Sequence, residues 1–168
     1  MTELYCTQKL LKELGDYNFP SVHNNSKSLM GDWYINIFKI ERYKTLIFVN
    51  ERTLFSFVKL QVKKKDTQNI LQVFLQGLES ALLMTKQDTN VVKKILCEYI
   101  GIQGLRKSNN RQITGNMVDL MQQYKCMIQL GGDINDIILK VNNMPQRNLD
   151  WNFSTEVLRD IVQEQFIN

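Results

Sequence analysis

The sequence predicts an α+β fold: an antiparallel β-meander packed by several amphipathic helices, with a helical C-terminal region. Three observations predict it. Residues 32–60 read as three consecutive strands with tight links. From Asp66 the apolar spacing changes from two residues to the helical period. That period then recurs, punctuated by Gly, Asp and Ser, to the end of the chain.

The elements follow in order. Residues 3–6 are a short apolar run, read as a strand. Thr7 is a helix N-cap, and Leu10, Leu11 and Leu14 share one helical face before Gly15 stops it. Residues 16–30 hold Pro20, an Asn-Asn pair and no periodicity, so they read as a long loop or flap. Asp32–Ile40 alternates: Trp33, Ile35 and Ile37 take one face, Tyr34, Asn36, Phe38 and Ile40 the other. Lys44–Val49 is apolar through its middle, as a strand buried on both faces is, and Leu54–Leu60 runs back.

Asp66 or Thr67 caps the next helix, whose stripe is Leu71, Phe74, Leu75, Leu78, Ala81 and Leu82. Gly77 inside that stripe costs about 1 kcal/mol against Ala. It therefore implies close approach to the sheet. Phe55, Phe57 and Lys59 alternate on one strand face, and the rings either pack under this helix or, on an open sheet, stack single-stranded bases. A helix from Asp88 or Thr89 follows, then a returning edge strand over 102–107. A helix over about 112–130 ends at Gly131-Gly132, and Asp133 caps a short helix. Ser154 caps the last one, with Phe153 and Leu158 spaced as a hydrophobic staple. The expected organisation is an α+β domain over 1–130 with a helical extension, 131–168, packed on it.

Composition narrows the function. Hydrophobic residues are 43% and charged residues 23%, which suits a globular domain and not a disordered chain. No stretch approaches ~18 uninterrupted apolar residues and the N-terminus carries no leader pattern, so a cytoplasmic, non-membrane protein is expected. Three cysteines at long spacings, Cys6, Cys97 and Cys126, read as reduced, buried thiols. The abundance of Asn, Gln, Lys and Ile suits an AT-rich genome, such as that of a low-GC bacterium, its phages or its plasmids.

Reaction chemistry is scarce. His23 is the one histidine, in the 16–30 loop, so a catalytic triad has no well-placed base. The sequence offers no zinc spacing and no phosphate-binding glycine loop. Asp133 and Asp136 are explained by the positive end of a helix, without a metal. No catalytic residue, metal or cofactor is expected.

Two groups of residues remain. Asn36, Lys44 and Asn50 interrupt apolar strand sequence, and Asn110 and Arg111 sit at a helix start where an anion is favoured. These five either converge on one ligand, such as a phosphate-bearing one, or form a buried polar network that fixes register. Lys63, Lys64 and Lys65, with Arg106 and Lys107 beside Arg111, form basic groups. They are solvated surface or a nucleic-acid contact.

The segments Leu4–Leu11, Gly31–Asn36 and Lys44–Asn50 resemble an uncharacterised bacterial domain family that also occurs fused in plasmid-borne open reading frames. Its members carry Trp-His-x-Asn where this chain has Trp33-Tyr34-Ile35-Asn36. They carry Asn-Arg-Ser-Val-x-Gly-Ser-Met-Asn-Asp where it has Asn110–Asp119. The resemblance spans about residues 3–125, with Tyr34 in place of the family's His and Val118 in place of its second Asn. It implies the fold and no particular activity.

Together these readings predict a non-enzymatic binding protein that occludes a host or phage protein, such as a phage- or mobile-element-encoded inhibitor of a host defence system. The 16–30 loop and the C-terminal helices are its expected partner surface. The alternatives are a nucleic-acid-binding accessory protein and an enzyme acting on a phosphate-bearing ligand.

Overall fold

The computed structural model describes residues 3–15, 28–102 and 104–168. His23 and most of the expected 16–30 loop lie outside the described residues.

Thr7 opens the first helix as expected: its hydroxyl accepts from the Leu10 N–H at 3.4 Å, and such a cap contributes about 1 kcal/mol. It joins β1 (Leu4–Cys6) to α1 (Gln8–Leu14). The meander is β2 (Trp33–Ile40), β3 (Tyr43–Asn50) and β4 (Ser56–Lys59). Its third strand is shorter than the sequence pattern because Asn50 folds residues 52–55 into a turn. There its Oδ1 accepts from the N–H groups of Arg52 and Thr53.

Strand β5 (Leu105–Lys107) returns beside β1 and completes a five-stranded sheet in the order β4-β3-β2-β1-β5. β1 runs parallel to both β2 and β5, and the meander is antiparallel.

Helices cover both faces. α3 (Ile70–Met84) and α4 (Thr89–Ile100) bring Phe74 and Tyr99 onto Trp33, Phe48 and Phe57. Trp33–Phe74 and Phe74–Tyr99 meet edge-on, at 5.5 and 5.6 Å between centroids, a favoured aromatic geometry. Gly77 earns its place here: a Cβ on it would stand 2.4 Å from Phe57 Cε2.

α5 (Arg111–Leu130) lies against the opposite face, where Met121 meets Asn36 and Tyr124 meets Ser56. α6 (Ile134–Asn142) packs on α5, α3 and β4. A loop with one 3-10 turn, Arg147–Leu149, leads to α7 (Ser154–Val162) and a final wide turn, Gln163–Ile167, against α4.

Four local expectations are corrected. Lys63, not Asp66 or Thr67, holds the N-cap of α2 (Lys64–Gln68), because Asp66 reaches back to accept the Lys63 N–H at 2.8 Å. The chain then breaks at Asn69 before α3. Phe153 precedes α7 in the cap position, and Ser154 is its buried first residue. Of the thiols only Cys6 is buried; Cys97 and Cys126 fall on the outer faces of α4 and α5.

Candidate functional site

The five polar residues singled out in the sequence are not gathered at one point. Side chains alternate across a strand, and Asn50 pairs with Trp33 while Asn36 pairs with Ile47. Asn36 therefore faces α5 and Asn50 faces α3 and α4. Lys44 and Asn50 stand at opposite ends of β3, roughly 20 Å apart at strand rise.

Each interior amide is bonded to the protein's own chain. Asn36 Oδ1 accepts from Thr7 Oγ1 at 2.6 Å and from the Ile37 N–H at 2.8 Å. Asn50, fully buried, donates to Met30 O at 3.0 Å and accepts from Thr53 Oγ1 at 3.0 Å. Lys44 pairs with Glu13 at the surface. Asn110 caps α5 through the Ile113 N–H at 3.1 Å, and its side chain stands beside the Tyr34 hydroxyl, where it partly offsets the rise that burial causes. Arg111 is exposed in the first turn of α5.

Asn36 and Asn110 thus share a face and flank Tyr34. The three segments that carry the family likeness meet there. Trp33–Asn36 touches Asn110–Asp119 through Tyr34, and Lys44–Asn50 pairs with it along β2 and β3.

Tyr34 also stacks on Tyr5, at 4.9 Å between centroids. The Tyr5 hydroxyl donates to Glu3 Oε2 at 2.5 Å, and Glu3 Oε1 pairs with Arg106 at 2.8 Å. Burial pushes both phenols above their ordinary range, with Glu3 adding to Tyr5 and Glu51 to Tyr34. A phenol raised this way stays protonated at neutral pH, so neither is poised as a base. The stack was not legible in the sequence, because Tyr5 and Tyr34 become neighbours only through parallel pairing of β1 with β2.

The basic groups stand apart. Lys63, Lys64 and Lys65 are exposed beyond β4, whereas Arg106 and Lys107 lie on β5, at the other edge of the sheet. Four inter-strand spacings, roughly 19 Å, separate those edges, and Arg106 is already paired with Glu3. Among the described residues no three His, Cys, Asp or Glu stand close enough to hold a metal ion, and no helix is long and apolar enough to cross a membrane.

One surface feature was not anticipated by residue. Trp151 is 66% exposed on a loop pinned at both sides. Its N–H donates to Gln146 O at 3.0 Å, and the Gln146 N–H donates to Asn152 O at 3.0 Å. Pro145 bridges to Phe153, and Asn148 Nδ2 donates to Asn116 Oδ1 on α5. Asp150 and Trp151 both hold left-handed backbones, φ 52° and 66°. For residues other than glycine, such conformations cost of order 1–3 kcal/mol each.

A family model described as "Domain of unknown function (DUF6933)" matches residues 3–157. The match runs past residue 125, where the sequence likeness ended, through α6 and the Trp151 loop into α7. No curated protein matches the chain.

Proposed function

We propose that this chain, which belongs to the DUF6933 family, acts by binding another protein, with the Trp151 loop as its anchor. The observation that carries the reading is the held, outward Trp151. An indole in water wastes apolar area, and tryptophan is the residue most enriched where protein interfaces concentrate their energy. Here the backbone is strained to present it and hydrogen-bonded to keep it there.

The interior amides support the same reading, because each is directed at the protein's own backbone or hydroxyls. The separation of the basic groups counts against a continuous nucleic-acid face. Within the proposal the partner is a host or phage protein, and the finer role is inhibition of a host defence system by occlusion.

The test compares wild type with Trp151→Ser as immobilised bait, using quantitative mass spectrometry of bound protein from the native host. One host protein enriched by wild type and lost by at least tenfold with the variant, at unchanged melting temperature, supports the proposal. Equal recovery by both proteins refutes the anchor. Binding of nucleic acid that falls steeply with salt and survives Trp151→Ser refutes the class.

A further inference from the structure

β4 is an outer strand of the sheet. In an antiparallel ladder, successive residues turn their N–H and C=O alternately toward the neighbour and away from it. The Asn50 N–H donates to Phe55 O at 2.9 Å, which fixes the phase. Phe55, Phe57 and Lys59 point their peptide groups at β3, and Ser56 and Val58 point theirs outward.

The chain closes the first of these positions itself. Asn142, at the end of α6, accepts from the Ser56 N–H at 2.8 Å and donates to Ser56 O at 2.7 Å. One side-chain amide imitates the two bonds of an adjoining strand. Two residues on, the outward N–H and C=O of Val58 have no partner among the described residues.

A groove opens at that point. It encloses about 370 Å³ between β4, α3 and the start of α6, with Val58 in its wall. Phe57, Gly77, Ala81 and Ile138 give it an apolar floor, and the polar part of its lining includes Lys59, Asp66, Gln76 and Asn135.

We propose that this groove takes an extended apolar peptide segment of a partner protein, added as a short strand on Val58. The proposal uses a different surface from the Trp151 loop and does not depend on it. A free N–H and C=O on one residue of a sheet edge match an extended backbone, and an apolar floor beside them takes alternate side chains of such a strand. A second copy of this chain does not fit. Its own β4 edge is walled by α3 and α6 in the same way, so two such edges cannot close to strand spacing.

The test pans a phage-displayed random heptapeptide library on the full-length protein and measures the selected peptides as free synthetic probes. The expected result is binding at about 100 μM or tighter, with slowed exchange of the Val58 amide. Val58→Pro removes the outward donor, a change that an edge strand tolerates. Gln76→Trp fills the rim from an exposed position. Each is expected to weaken binding roughly tenfold, while Trp151→Ser leaves it unchanged.

If Val58→Pro does not fold, Gln76→Trp decides. Failure to select any peptide, equal binding to wild type and Gln76→Trp, or concentration-dependent self-association lost in Val58→Pro overturns the proposal. Loss of host-protein capture by Trp151→Ser is read separately, so either proposal can fail without the other.

Discussion

Gly77→Ala and Gly115→Ala are the same substitution in two helices, and they are expected to change stability in opposite directions. Helix propensity alone favours Ala at both positions by about 1 kcal/mol. At Gly115 nothing stands within 4 Å of the added Cβ, so the gain of roughly 0.5–1 kcal/mol is kept. At Gly77 the Cβ meets Phe57 Cε2 at 2.4 Å and Cδ2 at 2.9 Å. Retreat of the Phe57 ring is opposed by Phe48, stacked on it at 4.8 Å, and by Trp33, 5.6 Å away. Overpacking costs about 1–3 kcal/mol, and a 2.4 Å contact with a packed ring puts this case at about 2–3, which outweighs the propensity term and leaves roughly 1–2 kcal/mol lost. For a chain of this size each kcal/mol moves the melting temperature by about 2–4 °C. Thermal unfolding followed by circular dichroism should therefore show Gly77→Ala lower by about 2–8 °C and Gly115→Ala higher by about 1–4 °C. A rise for Gly77→Ala would refute the close-approach argument.

Asn142→Ala orphans the buried Ser56 N–H and leaves a small cavity, so a loss of about 3 kcal/mol is expected in urea unfolding. Tyr124→Phe should lose about 1–3 kcal/mol: Asn142 still donates to Ser56 O, but the buried Ser56 hydroxyl loses its Tyr124 partner. Ellman's reagent should label Cys97 and Cys126 in the native protein, and Cys6 only on unfolding. Cys6 is enclosed and desolvation pushes its thiol up to about 12. Burial holds the Tyr99 and Tyr124 phenols above their ordinary value. The folded state therefore keeps protons that the unfolded state releases above about pH 10, and stability should fall as pH rises beyond that point. Unfolding free energies that stay level between pH 9 and about 11 would contradict this sign.

Local chemistry made much of the fold legible. Thr7, Asp88 and Asp133 cap helices by bonds to N–H groups two or three residues away, so short windows reveal them. Alternation from Trp33 to Ile40 showed the faces of β2, and Gly77 in an apolar stripe announced a close neighbour. Parallel pairing of β1 with β5 was hidden, since about a hundred residues separate them and three-residue strands carry little pattern. The scatter of the polar residues was hidden for a related reason. Asn36, Lys44 and Asn50 look alike as interruptions of apolar sequence, and only register assigns them to faces. Trp151 gave no sign because its exposure depends on bonds between Gln146, Leu149 and Asn152 that no periodicity encodes.

The positions of Asn36 and Asn50 also explain why apolar strands retain buried amides at all. Two adjacent strands rich in Ile, Phe and Val could pair in several registers with similar burial. A one-residue slip of β2 would turn Asn36 to the face held by Phe48, Phe57 and Phe74. There its amide would lose the Thr7 hydroxyl that it now faces at 2.6 Å. A slip of β3 would likewise move Asn50 away from Met30 O and from the turn N–H groups it gathers. An amide left without partners in an apolar interior costs at least about 1–3 kcal/mol. Such slips are therefore penalised once for each strand, on opposite faces. The correct register brings Tyr34 to Asn110 and Asn36 to Met121, and so seats α5 on the sheet.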